Sequence, residues 1–130
     1  MRKLALVVLL ALNGIMQLGG GTMMTLRPAK MAKEVFGSAP TPEALRLVGV
    51  IGGATLSFAL LTAVVVWTLL RDPRQGFALA RVEGVMLGLV GCVMLATGTS
   101  AGVIDIAKGV VITLVAWSAS APELARSPAR

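Results

Sequence analysis

Four long apolar stretches dominate this chain of 130 residues. They cover residues 4–26, 47–70, 77–97 and 102–120. A helix that rises about 1.5 Å per residue needs about 20 apolar residues to cross a hydrocarbon core about 30 Å thick, and it must satisfy its own backbone hydrogen bonds there. Four helices meet both conditions and strands do not. The sequence therefore predicts a polytopic membrane protein.

The connections between these stretches predict an all-α fold, an antiparallel four-transmembrane-helix bundle that forms a single domain over residues 1–130. Thr41-Pro42-Glu43 has the pattern of an N-cap, a first-turn proline and a first-turn acid, so the second span is predicted over residues 43–70. Residues 71–76 and 97–102 are predicted as tight loops, and short loops make neighbouring helices antiparallel.

Three segments outside the span cores have their own patterns. A short interfacial helix is predicted after Arg27-Pro28, with Lys30, Lys33 and Glu34 towards water, Met31, Val35 and Phe36 on the membrane surface, and Gly37 at its end. The tail, residues 121–130, is expected to be disordered. The N-terminus has the basic start of a signal peptide, but its apolar run continues to Leu26 without a clear cleavage site, so the first span is expected to be retained.

Composition removes several classes of function. The chain contains no histidine, which excludes His-ligated haem and histidine-containing zinc or non-haem iron sites. Cys92 is the single cysteine, so neither an intramolecular disulfide nor a redox Cys-x-x-Cys pair exists. No nucleophile–base pair or phosphate-binding loop is found, and we predict no catalytic residue, no metal ligand and no cofactor.

The twelve Lys and Arg residues are scattered over every connection, which favours membrane lipids over nucleic acid as partners. Four spans place both termini on the side of the loop at 71–76. That side collects seven cations, Arg2, Lys3, Arg71, Arg74, Arg81, Arg126 and Arg130, against five on the other, Arg27, Lys30, Lys33, Arg46 and Lys108. The bias predicts a multi-pass protein of the inner (plasma) membrane with both termini cytoplasmic.

Small residues recur at every fourth position on two spans. Gly49, Gly53 and Ser57 form one stripe on the second span. Gly84, Gly88, Cys92 and Ala96 form another on the third. Such stripes allow close backbone approach, so we predict helix packing along both, either inside the bundle or across a homodimer. A ligand groove lined by the glycines is the alternative.

Polar residues inside the spans are the candidate functional residues. Asn13 and Gln17 lie one turn apart on the first span and are expected to hydrogen-bond across helices. Spans two and four start on the same side, so Arg46 is expected to be level with Asp105 and Lys108, which are themselves i, i+3 partners. We expect these five residues to form a polar cluster.

Glu83 is the second candidate. It lies near the start of the third span, on the side of the membrane opposite to Arg46, Asp105 and Lys108. It is expected one to two turns below the surface, paired with Arg74, Arg81 or the terminal basic residues. Ionisable groups in a span cost roughly 2.5 to 3.5 kcal/mol each on insertion scales, which makes a functional role the default hypothesis. Structural ion pairing close to the span ends is the alternative.

Three local features of the spans occur together in this chain: the Leu45-Arg46-Leu47-Val48-Gly49 opening of the second span, the Arg71-Asp72-Pro73-Arg74 hairpin and the early acid Asp105 in the fourth span. In these features the chain resembles the small bacterial four-helix integral membrane proteins of the DoxX-like group. The resemblance covers most of the chain and implies a four-helix bundle. No metal or redox-cysteine motif supports the quinone-linked oxidoreductase role attached to DoxX.

The sequence leaves three functions open. The first is a non-enzymatic membrane protein, either an accessory subunit of a membrane complex or a lipid- or quinone-binding bundle. The second is a small dimeric transporter, which would normally need an acid near mid-membrane with aromatic residues around it. The third is an enzyme on a lipid-soluble substrate with Asp105 and Lys108 as acid and base.

Overall fold

The chain is almost entirely helical in a computed structural model, which describes the backbone of residues 2–36, 41–96 and 100–124 and the side chains of 2–34, 41–96 and 100–120. Its helices are α1 (Arg2–Leu26), α2 (Pro28–Phe36), α3 (Pro42–Arg71), α4 (Pro73–Ala96) and α5 (Gly102–Leu124). By length and composition, α1, α3, α4 and the Gly102–Ser120 part of α5 can each cross a membrane. The predicted fold class, all-α with four transmembrane helices and a short helix after the first, is confirmed.

The start of α3 follows from its capping residues. The backbone N–H of Ala44 donates to the Thr41 hydroxyl oxygen at 3.2 Å, and Pro42 is the first helical residue. Thr41 therefore satisfies one of the backbone donors that a helix start leaves without a partner. The predicted N-cap is confirmed.

The predicted hairpin loop over residues 71–76 is wrong, because a single residue, Asp72, separates α3 from α4. The Asp72 carboxylate oxygen Oδ1 accepts hydrogen bonds from the backbone N–H groups of Arg74 (3.0 Å) and Gln75 (3.3 Å). Asp-Pro supplies the N-cap and first-turn proline of α4, so the helix starts four residues before the predicted span at residue 77. This turn brings Gly76 so close to Leu69 that a Cβ at Gly76 would lie 2.6 Å from the Leu69 backbone nitrogen.

The expectation of a disordered tail is wrong for residues 121–124, since α5 continues to Leu124. Pro122 has no N–H to donate to the carbonyl of Ser118, four residues earlier. The guanidinium of Arg2 donates to that carbonyl instead, with Nη1 3.1 Å from the oxygen. Residues 125–130 lie outside the described residues.

The short helix α2 has the predicted distribution of polar residues. Lys30, Lys33 and Glu34 are exposed and Met31 is half-buried. The Lys30 ammonium lies 3.8 Å from the Glu34 carboxylate in an exposed i, i+4 pair, which contributes little to stability. The predicted end at Gly37 and the side chains of Val35 and Phe36 lie outside the described residues.

The chain forms two compact units. The first unit contains Met1–Leu12 with Thr62–Arg130, and the second unit contains Asn13–Leu61. The prediction of a single domain over residues 1–130 stays a prediction. In the first unit, the buried apolar side chains come from all four long helices: Leu6, Leu10, Val65, Leu69, Phe77, Ala80, Leu87, Ile112, Ala116 and Ala119.

Within the first unit, α4 and α5 pack antiparallel along glycines. A Cβ at Gly84 would lie 2.8 Å from the Gly109 carbonyl oxygen, and a Cβ at Gly91 would lie 2.6 Å from the Gly102 carbonyl oxygen. Added Cβ atoms would therefore strike backbone, which cannot rotate away. These four glycines set how closely the two helices approach.

In the second unit, α1 and α3 also approach each other closely at a pair of glycines. A Cβ at Gly21 would lie 3.0 Å from the Gly52 carbonyl oxygen, and a Cβ at Gly52 would lie 2.9 Å from the Thr25 hydroxyl oxygen. This approach joins the C-terminal half of α1 to the N-terminal half of α3 in antiparallel order.

Candidate functional site

Glu83 on α4 is the most deeply buried ionisable residue among those whose side chains are described, with none of its surface exposed. The hydroxyl of Thr62, on α3, donates a hydrogen bond to its Oε1 atom. Thr62 is itself only 1% exposed. The first unit therefore encloses a carboxyl–hydroxyl pair among apolar side chains.

Both residues of this pair lie far from the ends of their helices. Glu83 is ten residues after Pro73, the first residue of α4, which is about 15 Å at 1.5 Å per residue. Thr62 is nine residues before Arg71, the last residue of α3. Both residues therefore lie well inside their helices. The predicted depth of Glu83, one to two turns below the membrane surface, stays a prediction.

The arginines expected beside Glu83 have other contacts. Arg81 donates from Nε to the Phe77 carbonyl oxygen at 3.2 Å, and its guanidinium carbon lies 5.6 Å from the centre of the Trp117 ring. Arg74 is exposed. The hydroxyl group of Thr62, which contacts Glu83, was not among the predicted partners of this carboxyl group.

Asp105 and Lys108 form the predicted i, i+3 pair in the first turns of α5. The Lys108 ammonium lies 3.4 Å from Oδ1 of Asp105, and each side chain keeps about a quarter of its surface exposed. Asp105 also lies in the first helical turn, where the helix dipole favours a negative charge. Asp105 and Lys108 therefore lie on the same face of α5, and each provides the opposite charge for the other.

The other members of the predicted polar cluster belong to the second unit. Arg46 is exposed, and its grouping with Asp105 and Lys108 stays a prediction. Asn13 and Gln17 are buried, with 4% and 8% of their surfaces exposed. The amide atoms of Asn13 have no hydrogen-bond partner among the described residues, so its predicted bond across helices is not found there.

The two predicted small-residue stripes differ in whether another helix packs against them. On α4, Gly84 lies against α5, and a Cβ at Gly109 would lie 2.6 Å from the Gly88 backbone nitrogen. The next residue of α4 that contacts α5 is Gly91. The predicted members Cys92 and Ala96 are exposed. The physical reason is the period of 3.6 residues per turn, which moves a strict four-residue repeat around the helix.

The α3 stripe has no packing partner among the described residues. A Cβ at Gly49 or at Gly53 would meet no other atom within 4 Å. Gly53 and Ser57 are exposed, and the Ser57 hydroxyl donates to the Gly53 carbonyl oxygen of its own helix at 3.0 Å. We call Gly49, Gly53 and Ser57 the open α3 face.

Gly19 and Gly20 on α1 share this property, since a Cβ at either would also meet no atom within 4 Å. All four of these open glycines belong to the second unit. In the described part of the first unit, a Cβ at Gly88 would also meet no atom within 4 Å, whereas a Cβ at Gly76, Gly84, Gly91, Gly102 or Gly109 would lie closer than 3 Å to an atom of a neighbouring helix.

Among the described residues, no group of three or more His, Cys, Asp or Glu side chains converges as a metal site would require. Comparison with known proteins gives no match to a family model, to a curated protein or to a solved structure.

Some of the site could have been found in the sequence. Asp72-Pro73 is a helix-start signal, and the seven-residue spacing of Gly102 and Gly109 on α5 mirrors that of Gly84 and Gly91 on α4. The Thr62–Glu83 pair carries no comparable signal, since many spans contain threonine and nothing in the sequence pairs residue 62 with residue 83.

Proposed function

We propose that this chain is a non-enzymatic integral membrane protein that serves as a subunit of a membrane protein complex. The open α3 face supports the proposal. Glycine in a helix is less favourable than alanine by about 0.5 to 1 kcal/mol, and close packing is what offsets that cost inside a membrane. Gly49 and Gly53 have no such packing among the described residues, so a helix from another chain is the natural partner.

The chemistry of this face suits a transmembrane helix. Two glycines one turn apart allow a second backbone to approach closely, and the hydroxyl of Ser57 already has an acceptor in its own helix. The contact therefore leaves no polar group without a partner when lipid is displaced. The partner is a helix of a different subunit or of a second copy of this chain.

The deciding experiment is the mass of the native particle extracted in nanodiscs. We expect a particle heavier than one chain, and we expect Gly49→Leu and Gly53→Leu to reduce it to the mass of one chain without loss of helical content. Ala54→Leu is the matched control, because Ala54 is exposed on the same helix beside the open face. A wild-type particle that contains one chain and only lipid or quinone would overturn the subunit role in favour of the binding bundle.

A second candidate is the small dimeric transporter, and the complete burial of Glu83 inside a predicted span favours it. A carrier that uses Glu83 must open to expose this carboxyl group during its cycle, whereas a structural pair stays closed. A lipid-soluble carbodiimide tests the difference, since its addition to a carboxyl group leaves a stable N-acylurea. Peptide mapping that finds the adduct on Glu83 supports transport, with Glu83→Gln as the control; an unmodified Glu83 argues against it.

The location proposed for the protein is the inner (plasma) membrane, with both termini cytoplasmic. The contact between Arg2 and Ser118 supports a common side for the start of α1 and the end of α5. In a Cys92→Ser background, Gln75→Cys should resist a membrane-impermeant maleimide in intact cells and Ala29→Cys should react. The reverse pattern would invert the orientation. Kinship with the DoxX-like group stays a prediction.

A further inference from the structure

Four arginines and two tryptophans lie at one end of the first unit. They are Arg2 on α1, Arg71 and Trp67 on α3, Arg74 and Arg81 on α4, and Trp117 on α5. We call this set the arginine–tryptophan end. Neither the packing of the helices nor the proposed subunit contact uses it.

Described contacts bring these residues to the same end. Arg2 donates to the Ser118 carbonyl, which places the start of α1 beside the end of α5. Arg81 stacks near Trp117 of α5, and its Nε donates back along α4 to Phe77, so the side chain runs towards the start of that helix. The single residue between α3 and α4 holds the remaining members there.

The two tryptophans hold guanidinium groups at the protein surface. The guanidinium carbon of Arg71 lies 4.2 Å from the centre of the Trp67 ring, and that of Arg81 lies 5.6 Å from the Trp117 ring. Both rings are mostly exposed, 58% for Trp67 and 65% for Trp117. Stacking against a ring face restrains a guanidinium group while its N–H edges stay available to an anion.

The protein supplies little negative charge to these cations. The described ion pairs, Lys30–Glu34 and Asp105–Lys108, include none of the four arginines. Asp72, which lies between Arg71 and Arg74 in the sequence, accepts from the backbone N–H groups that begin α4. The indole N–H groups of Trp67 and Trp117 also have no protein acceptor in the described part of the chain. Donors and positive charge are thus concentrated where the membrane meets water.

We propose that the arginine–tryptophan end binds the headgroup of an anionic phospholipid. Arginine forms paired hydrogen bonds with phosphate oxygens, and tryptophan occupies the headgroup level with its ring in lipid and its N–H towards the polar layer. An acyl chain lies naturally along the exposed apolar residues below the rings, such as Val64 and Leu114. A lipid satisfies both the cations and this apolar surface, whereas free phosphate satisfies only the cations.

Native mass spectrometry of the delipidated full chain tests the proposal. We titrate it with dioleoyl phosphatidylglycerol and with zwitterionic dioleoyl phosphatidylcholine. Phosphatidylglycerol should bind more tightly, and Arg71→Gln or Arg81→Gln should each weaken its binding by about fivefold, the effect of one cation at a membrane surface. Arg74→Gln changes an exposed residue with no described side-chain contact, so it provides the same test if the stacked variants fail to fold.

Lys30→Gln and Lys33→Gln are the matched controls, since they remove the same charge from exposed positions on α2 in the second unit. We expect both to keep the phosphatidylglycerol preference. Equal loss in these controls would reduce the effect to net charge and overturn the site. Displacement of the lipid by millimolar inorganic phosphate would assign the arginines to a free anion and would overturn the lipid as their ligand.

Discussion

The hydroxyl of Thr62 donates a hydrogen bond to the carboxyl group of Glu83 across the α3–α4 pair. Thr62 is nine residues before the end of α3, Glu83 is ten residues after the start of α4, and both side chains are buried. Since no bulk water reaches buried groups, the loss of this hydrogen bond is costly.

Thr62→Val should therefore destabilise the protein by about 1 to 3 kcal/mol, the cost of leaving a buried polar group without its hydrogen bond. Replacing both residues, Thr62→Val with Glu83→Leu, should recover part of that loss because the buried carboxyl group is removed together with the hydroxyl group. Unfolding in mixed micelles with increasing SDS, followed by circular dichroism, measures both variants. Equal stability of wild type and Thr62→Val would contradict a structural role for the bond.

Arg2 and Pro122 should be energetically coupled. Pro122→Ala restores an N–H that can reach the Ser118 carbonyl, which the Arg2 guanidinium now contacts. Arg2→Gln alone should cost about 0.5 to 1 kcal/mol, while Arg2→Gln in the Pro122→Ala background should cost almost nothing. A double-mutant cycle on thermal unfolding gives the coupling. Additive effects would show that the two groups do not share this carbonyl.

Replacement by alanine should lower stability at a closely packed glycine and should not lower it at an open one. Gly109→Ala places a Cβ 2.6 Å from the Gly88 backbone nitrogen, so we expect a loss of about 1 to 3 kcal/mol from overpacking. Gly53→Ala meets open space and should be neutral or stabilise the single chain by about 0.5 to 1 kcal/mol. The SDS titration compares the two. A tolerant Gly109 would mean that α4 and α5 can separate without penalty.

Asn13 should be replaceable by leucine with a gain in stability. Its amide is 96% buried, from an exposed fraction of 4%, and has no hydrogen-bond partner among the described residues. Asn13→Leu removes a desolvation cost of about 1 to 3 kcal/mol at similar volume. Thermal unfolding in detergent should show a higher midpoint. A clear loss of stability would indicate that another molecule or water supplies the missing partner.

The Asp105–Lys108 pair gives a test by exchange. Asp105→Ala should lower stability by about 1 kcal/mol, since it leaves Lys108 without its partner in the first turns of α5. The exchanged protein, Asp105→Lys with Lys108→Asp, should retain the pair and lose only about 0.3 to 1 kcal/mol from the reversed charge in the first helical turn. Failure of the exchanged protein to fold would count against simple pairing.

The predicted helices and the observed ones agree where local chemistry decides them. Apolar length defines four spans, and Thr41-Pro42 defines the start of α3. The predictions were wrong at two helix ends. The polar residues from Arg71 to Gly76 were predicted as a loop, although Asp72-Pro73 begins a helix. The tail was predicted as disordered, although α5 continues past Pro122 and Arg2 contacts the Ser118 carbonyl.

By itself, the sequence determined the fold class, the number of spans and the residues that carry charge inside them, because apolar length and capping act within a few residues of the same chain. Only the tertiary structure decided which glycines pack, which stay open, and that Thr62 meets Glu83. Contacts between spans depend on how each helix is rotated about its own axis and on how deep it lies in the membrane. The sequence predicts neither, because a span in lipid is apolar on every side and does not show which side packs.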